Sequence, residues 1–282
     1  MKIPKVIHYC WFGGKELPDL AKKCITSWRK YCPDYEIIEW NENNFDLDHC
    51  RYVKEAYQEK KWAFVSDYAR FWILYNYGGV YLDTDVEIIK PIDDLIQRGA
   101  YMGCEPALQG MNNEECLNNL KYLVNPGLGI SAPAQHPFLK RILDIYAERS
   151  FYKPSGELDL YTVVQTTTVA LLEYGYLDSD KIQKVGDMTI YPVDYFCPKN
   201  YFTSVLKITP NTYSIHHYTA SWQNIKEKKR FEVLQKLSLK FGNIAGYKIW
   251  RCYTLPFRFY DKFRLLGMKK TLLFALKKIW RQ

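Results

Sequence analysis

The sequence predicts an α/β fold in which a mostly parallel central sheet is flanked by helices. Three observations carry that expectation. Strand-like and helix-like stretches alternate from the start, with "KVIHYCW" (5–11), an amphipathic run over 17–31 and "YEIIEW" (35–40) in succession. Residues 62–77 form a nearly all-apolar helical run that stops at Gly78-Gly79. The apolar stretch 79–82 then ends on Asp83 and Asp85, at the carboxyl edge where open α/β sheets bind ligands.

Each element is bounded by its own punctuation. Gly13-Gly14 close the first strand, and Pro33 sits just past the first helix, where it cannot extend the hydrogen-bond ladder. Helices are expected from about His136 to Arg149 and over 162–174, with a short strand over 188–193. "YSIHHYTASW" (213–222) reads as a late strand running into a helix through about Leu239. The sequence has no internal repeat and no low-complexity linker. Its one shift in composition, near residue 240, divides a domain over 1–239 from a helical basic tail over 240–282.

Composition narrows the function classes. With 48% hydrophobic and 25% charged residues the chain belongs among folded proteins. Its 24 Tyr and 8 Trp can serve as core, as sugar platforms or as membrane-interface anchors. The eight cysteines stand singly, without a C-x-x-C pair, so neither a zinc knuckle nor a redox motif is indicated. Free thiols in a reducing cytoplasm are expected. The opening "MKIPKVIHYCWFGG" lacks a signal peptide's long apolar run, and no stretch is long enough to span a bilayer.

The net charge of +8 is unevenly spread. Eleven of the 39 basic residues but only Asp261 of the 31 acidic ones lie in 240–282, so the tail is +10 and the body −2. The body is therefore not expected to bind nucleic acid. Within the tail, Leu272, Leu273, Leu276, Ile279 and Trp280 share a helical face opposite Lys277, Lys278 and Arg281, although Phe274 blurs the division. Such a helix is expected to dock on an anionic membrane surface, making the protein peripheral on the inner face of the cytoplasmic membrane. The competing reading packs it on the chain's own body or on a second subunit, as a homo-oligomer.

Four clusters could carry chemistry. Asp83 and Asp85, two residues apart, can lean to one side and hold a cation, or simply make a surface turn. A calcium loop is excluded, because positions six and twelve counted from Asp83 are Ile88 and Asp94 rather than Gly and Glu. Mg²⁺ or Mn²⁺ carrying a nucleotide diphosphate fits a site with so few protein carboxylates. Asp67 and Arg70, the only charges in the 62–77 helix, are i,i+3 neighbours. They form either a self-contained ion pair or a grip for sugar hydroxyls and phosphate. Trp11, before two glycines, is core or a platform for a flat base. His217, Ser221 and Trp222 fall close together, and a histidine there is a metal ligand or structural.

Taken in order, "IPKVIHYCWFGG", "FVSDYARFWILYNYGGVYLDTD" and "HHYTASW" resemble glycosyltransferase family 32 over roughly residues 1–225. That family comprises sugar transferases of the GT-A fold with a D-x-D motif. It includes bacterial capsular and exopolysaccharide enzymes and fungal mannosyltransferases, and is related to the clostridial glucosylating toxins. The resemblance implies Trp11 stacking on uracil, Asp67 and Arg70 holding the donor sugar, and Tyr81 and Asp83 near ribose, sugar and phosphates. Asp85 is implied as direct metal ligand and His217 as the second, with Ser221 and Trp222 closing over the diphosphate. The toxins' serine matches Ala220, one position earlier than Ser221. Glu87 matches no role.

The resemblance implies a retaining transfer of a hexose from a nucleotide sugar, UDP-sugar favoured, to a saccharide acceptor, and the basic tail suggests that this acceptor is lipid-linked. GDP-mannose is the alternative donor. Same-face substitution is expected, because no carboxylate stands out as a nucleophile. "NPGLGISAPAQHPF" and "YTVVQTTTVALLEYG" fall at family positions near the acceptor cleft, with Gln165-Thr166 where relatives carry Gly-Pro. From other classes, a metal-dependent phosphohydrolase and a non-catalytic carbohydrate- or membrane-binding module compete with this reading.

Overall fold

Side-chain alternation along the first strands decides where the core lies. In the computed structural model, which describes residues 2–107, 115–219, 225–257 and 260, strand β1 is Val6–Cys10, β2 Glu36–Trp40 and β3 Gly79–Tyr81. Ile7, Tyr9 and Val80 face one side of the sheet, while Cys10, Trp40 and Tyr81 face the other. On the first side pack helices α1 (Asp19–Tyr31) and α4 (Asp93–Gln97), through Cys24, Ile25, Trp28 and Leu95. On the second pack α2 (Arg51–Gln58), α3 (Trp62–Tyr77), α6 (Pro137–Ala147) and α7 (Val163–Glu173).

Seven strands make the sheet, in the order β2-β1-β3-β6-β5-β8-β7, where β5 is Tyr101–Pro106, β6 Tyr122–Ala132, β7 Gln183–Val185 and β8 Met188–Tyr191. Five strands run one way; β6 and β7 oppose them. The expected α/β layering with a mostly parallel sheet is met. A second, two-stranded antiparallel sheet joins β4 (Val86–Ile88) to β9 (Ser214–His216). Short helices α5 (Glu115–Asn118) and α8 (Val193–Phe196) fill connections, and α9 (Ile225–Phe241) precedes a helical stretch over 243–257.

The described residues fall into two compact units. One is Met1–Asn200 with Val205–Trp222, and the other is Tyr201–Ser204 with Gln223–Gln282. No helix among the described residues is long and apolar enough to cross a membrane. The eight cysteines are free thiols.

Two local features position the site. The turn closing α3 is fixed by His8, whose Nδ1 accepts from Trp40 Nε1 (3.1 Å) and whose Nε2 therefore donates to the Gly78 carbonyl (3.0 Å). Only a neutral ring satisfies both partners, and burial holds its pKa down at about 4. The second feature is a bulge in β6. Met102 pairs with Ile130, but the next residue, Gly103, pairs with Asn125, so residues 126–129 leave the ladder. Pro126, which has no N–H to offer a ladder, belongs in such a place. Bulges of this kind re-aim backbone toward a neighbouring site.

Candidate active site

Helix α3 enters the core on nearly every side, so its two charged residues have to find partners inside. Asp67 is 8% exposed and Arg70 3%. Arg70 Nη2 lies 2.8 Å from Asp67 Oδ1 and 3.3 Å from Asp83 Oδ1, and its Nε donates to the Ser66 carbonyl. The guanidinium sits 4.8 Å over the Tyr81 ring, a cation–π contact strengthened by burial. Burial pushes the Asp67 carboxyl upward, against the pull of Arg70. Arg70 Nη1 is buried and has no hydrogen-bond partner among the described residues. One donor of the fork is thus without an acceptor among the described residues.

The D-x-D segment is a turn rather than an extended strand end. Val86 N–H donates to the Asp83 carbonyl (3.0 Å), so Asp83, Thr84, Asp85 and Val86 close a β-turn that leads into β4. Strand β9 pairs Val86 with His216. This brings His216 Nε2 to 3.2 Å from Asp85 Oδ1 and 3.9 Å from Asp83 Oδ2. Ligand atoms of Asp83, Asp85 and His216 all lie within 4.8 Å of one another. Thr219 donates to Asp85 Oδ2 through both its N–H (2.8 Å) and Oγ1 (3.0 Å). Burial works against the Asp85 charge, but His216 and Thr219 outweigh it and hold the carboxyl well below the usual range. Burial likewise opposes charge on His216, yet Asp85 and Asp83 raise its pKa to about 10. A cation held by these three side chains would have to take the place of the His216 proton.

The neighbouring histidine behaves differently. His217, expected as the second metal ligand, turns to the other face, where its Nε2 meets Glu87 Oε2 at 2.8 Å. Glu87 and His217 are diagonal neighbours across the β4–β9 pair, and side chains two apart share a face. Glu87, without a role in the sequence reading, also meets Lys23 at 3.1 Å. The imidazole beside the two aspartates is that of His216.

The β6 bulge closes the site from a third direction. Asp83 Oδ2, Asn125 Oδ1 and Arg70 Nη1 converge on the place where a Gly127 Cβ would be, and that Cβ would collide with Asp83. Gly127 is thus required by close approach rather than by its φ. Asn125 Oδ1 accepts from Gly127 N–H (2.7 Å), and its Nδ2 donates to Glu105 Oε2 (2.7 Å).

A family described as a glycosyltransferase sugar-binding region containing a DXD motif matches residues 18–101, a span that includes Asp67, Arg70, Asp83 and Asp85. Over that segment the chain matches a DXD glycosyltransferase family. Inositol phosphoceramide mannosyltransferase 1 of Schizosaccharomyces pombe is 28% identical over 49% of this chain and 41% of its own length. The chain thus spans about two fifths of that curated relative. An uncharacterized glycosyltransferase of Acanthamoeba polyphaga mimivirus is 24% identical over 78% of this chain and 84% of its own. Among solved structures, PaToxG glycosyltransferase aligns at 18% identity with a TM-score of 0.44, over 61% of this chain and 69% of that one.

The remaining residues expected of a DXD glycosyltransferase separate by position. Trp11 follows β1, half-buried, with its indole N–H donated to the Lys15 carbonyl. The room left by Gly13 (φ +95) is filled by Trp62, whose Nε1 would stand 2.6 Å from any Cβ there, so this glycine serves internal packing. Tyr81 is 1% exposed and lies in the core beneath Arg70. Ser221 and Trp222 lie outside the described residues. Gln165 closes a capping box with Thr162 at the start of α7. Sequence reasoning missed His216, Thr219 and Gly127. Only the doubled histidine in "HHYTASW" signalled any of them.

Proposed function

We propose that the protein is a retaining, metal-dependent glycosyltransferase that moves a hexose from a nucleotide sugar to a saccharide acceptor on a GT-A-type scaffold. The observation that carries this reading is the convergence of Asp83, Asp85 and His216 beside the unpartnered Nη1 of Arg70. Two carboxylates and an imidazole are a donor set suited to Mn²⁺, with Mg²⁺ the alternative. A divalent ion bound there supplies Lewis-acid neutralisation of the leaving diphosphate.

The chain's own residues take the other roles. Asp85, held ionised by Thr219 and His216, is the principal ligand, and Asp83 reaches toward ribose and sugar. Arg70 offers Nη1 to a phosphate or hydroxyl oxygen, while Asp67 fixes the guanidinium and accepts from the sugar. Trp11 is the platform for the base, and Ser221 and Trp222 close over the diphosphate. Asp67, buried and paired, is unsuited to act as a nucleophile. Same-face substitution follows, with the leaving phosphate taking the acceptor's proton and with positioning and electrostatics supplying the catalysis.

UDP-sugar remains the favoured donor. A mannosyl donor, with GDP-mannose as its carrier, is the second reading, and the mannosyltransferase name of the fission-yeast relative supports its mannosyl part. Nucleotide release from UDP-sugars and from GDP-mannose, with and without Mn²⁺, tests the proposal. Release that depends on metal is expected. Turnover of phosphate esters would show a phosphohydrolase, and no turnover at all a binding module. Either result overturns the reading. Among the described residues only one cluster could hold a metal, whereas two-metal hydrolases set a pair of ions about 4 Å apart.

We further propose that residues 240–282 dock on the anionic inner face of the cytoplasmic membrane, where a lipid-linked acceptor for capsular or other surface polysaccharide lies. The amphipathic helix expected over 272–281 lies outside the described residues. Support comes from the stretch 243–257, where Ile244, Ile249, Tyr253, Leu255 and Phe257 are exposed among Lys248 and Arg251. The fission-yeast relative's name also specifies a lipid acceptor. Binding to mixed phosphatidylcholine–phosphatidylglycerol vesicles is expected, weakening with salt and absent on phosphatidylcholine alone. Unchanged vesicle binding after deletion of 240–282 would overturn this, as would concentration-dependent dimerisation through the same residues.

A further inference from the structure

A buried polar bridge beside the site has no part in the proposed chemistry. Tyr218 has φ +54, the left-handed region that residues other than glycine rarely adopt. Such outliers persist where the surroundings over-determine them, and they concentrate at functional sites. Here the conformation folds the Tyr218 ring back edge-on to the His216 ring, with centroids 4.2 Å apart and an interplanar angle of 71°. Its hydroxyl donates to Glu105 Oε2 at 3.0 Å and, having spent its proton there, accepts from the Cys197 thiol at 2.9 Å. The same Glu105 oxygen accepts from Asn125, whose own oxygen holds the Gly127 N–H. Gly127 in turn abuts the Asp83 carboxylate.

The chain of contacts therefore begins at His216 of the proposed cation site and returns to that site at Asp83. We propose that Glu105 braces both sides of that site, with Tyr218 as the positioning residue that fixes the His216 ring. Neither Glu105 nor Tyr218 touches substrate in this scheme. They act through His216 on one side and through Asn125 and Gly127 on the other. Groups that orient metal ligands in this way matter nearly as much as the ligands. The proposal rests on the reading that Asp83, Asp85 and His216 hold a cation, and its test keeps the two separable.

The test uses the full chain, first without metal. The amide protons of Thr219 and His217 bond the Asp85 side chain and carbonyl, so their hydrogen exchange reports how firmly that segment is held. Glu105→Leu and Tyr218→Phe are expected to speed exchange at both amides by about tenfold, while amides of β1 and β3 stay unchanged. With Mn²⁺ alone, followed by electron paramagnetic resonance, the same two variants are expected to bind about tenfold more weakly. Glu105→Gln, whose amide oxygen can accept both bonds, should restore both readouts. If Glu105→Leu does not fold, Tyr218→Phe and Glu105→Gln decide the matter. Unaltered exchange in Tyr218→Phe, or a Glu105→Gln variant no better than Glu105→Leu, overturns the brace. Failure of the wild-type chain to take up Mn²⁺ overturns the cation reading, and the exchange experiment still decides the brace.

Discussion

Asp85→Asn is expected to abolish sugar transfer and donor hydrolysis together, by roughly a thousandfold or more in kcat/KM, since several kcal/mol of charge stabilisation depends on this carboxylate. The amide still accepts from Thr219, so the turn keeps its shape while the charge facing His216 disappears. A matched pair of variants then separates the two histidines. His216→Gln should raise the Mn²⁺ concentration needed for half-maximal activity at least about tenfold. His217→Gln removes only the contact to Glu87, a partly exposed pair worth about 0.5 kcal/mol, and should leave the metal requirement unchanged. Full activity in Asp85→Asn, or the opposite ranking of the histidine variants, would sink the assignment.

Arg70→Met should be the most damaging single change to stability within the site. It leaves Asp67 buried without its partner, and breaking a buried ion pair from one side costs about 3–5 kcal/mol. For a unit of this size that corresponds to a fall in Tm of roughly 10 °C. Buried ion pairs are poor stabilisers compared with apolar packing, so the double variant Arg70→Met, Asp67→Leu should recover much of the loss. It should not recover donor binding, because the free Nη1 beside Asp83 is gone. Thermal melts and donor titration on the two variants give the answer. A double variant that regains both stability and donor binding would reduce Arg70 and Asp67 to a structural pair.

The parts of the fold that sequence could reveal were those with one dominant signal. Helix α3 matches its expected limits, because a long apolar run ends on two glycines and nothing competes with that pattern. Strand β6 was hidden for the opposite reason. Asn125-Pro126-Gly127 carries every mark of a turn, yet it lies within the longest strand of the sheet, where tertiary pairing on both sides accommodates the bulge. In the site, Asp67, Arg70, Asp83 and Asp85 lie together, and each stood out in the sequence as a charge in an apolar setting. The choice between His216 and His217 was not legible. Strand β9 is only three residues long, and the turn takes Asp85 off the two-residue alternation that would have decided the facing side. Glu105 and Tyr218 gave no signal because their contact spans more than a hundred positions.

The doubled histidine also bears on how β9 finds its register. Sliding that strand by one residue against β4 would exchange the faces of His216 and His217, and an imidazole would still meet Asp85. The two alignments are thus close to degenerate at the cation site itself. Tyr218 breaks the tie, because only the observed alignment lets its hydroxyl reach Glu105 while its ring lies against His216. In folding terms, this tyrosine is a register key for a strand too short to specify its own pairing.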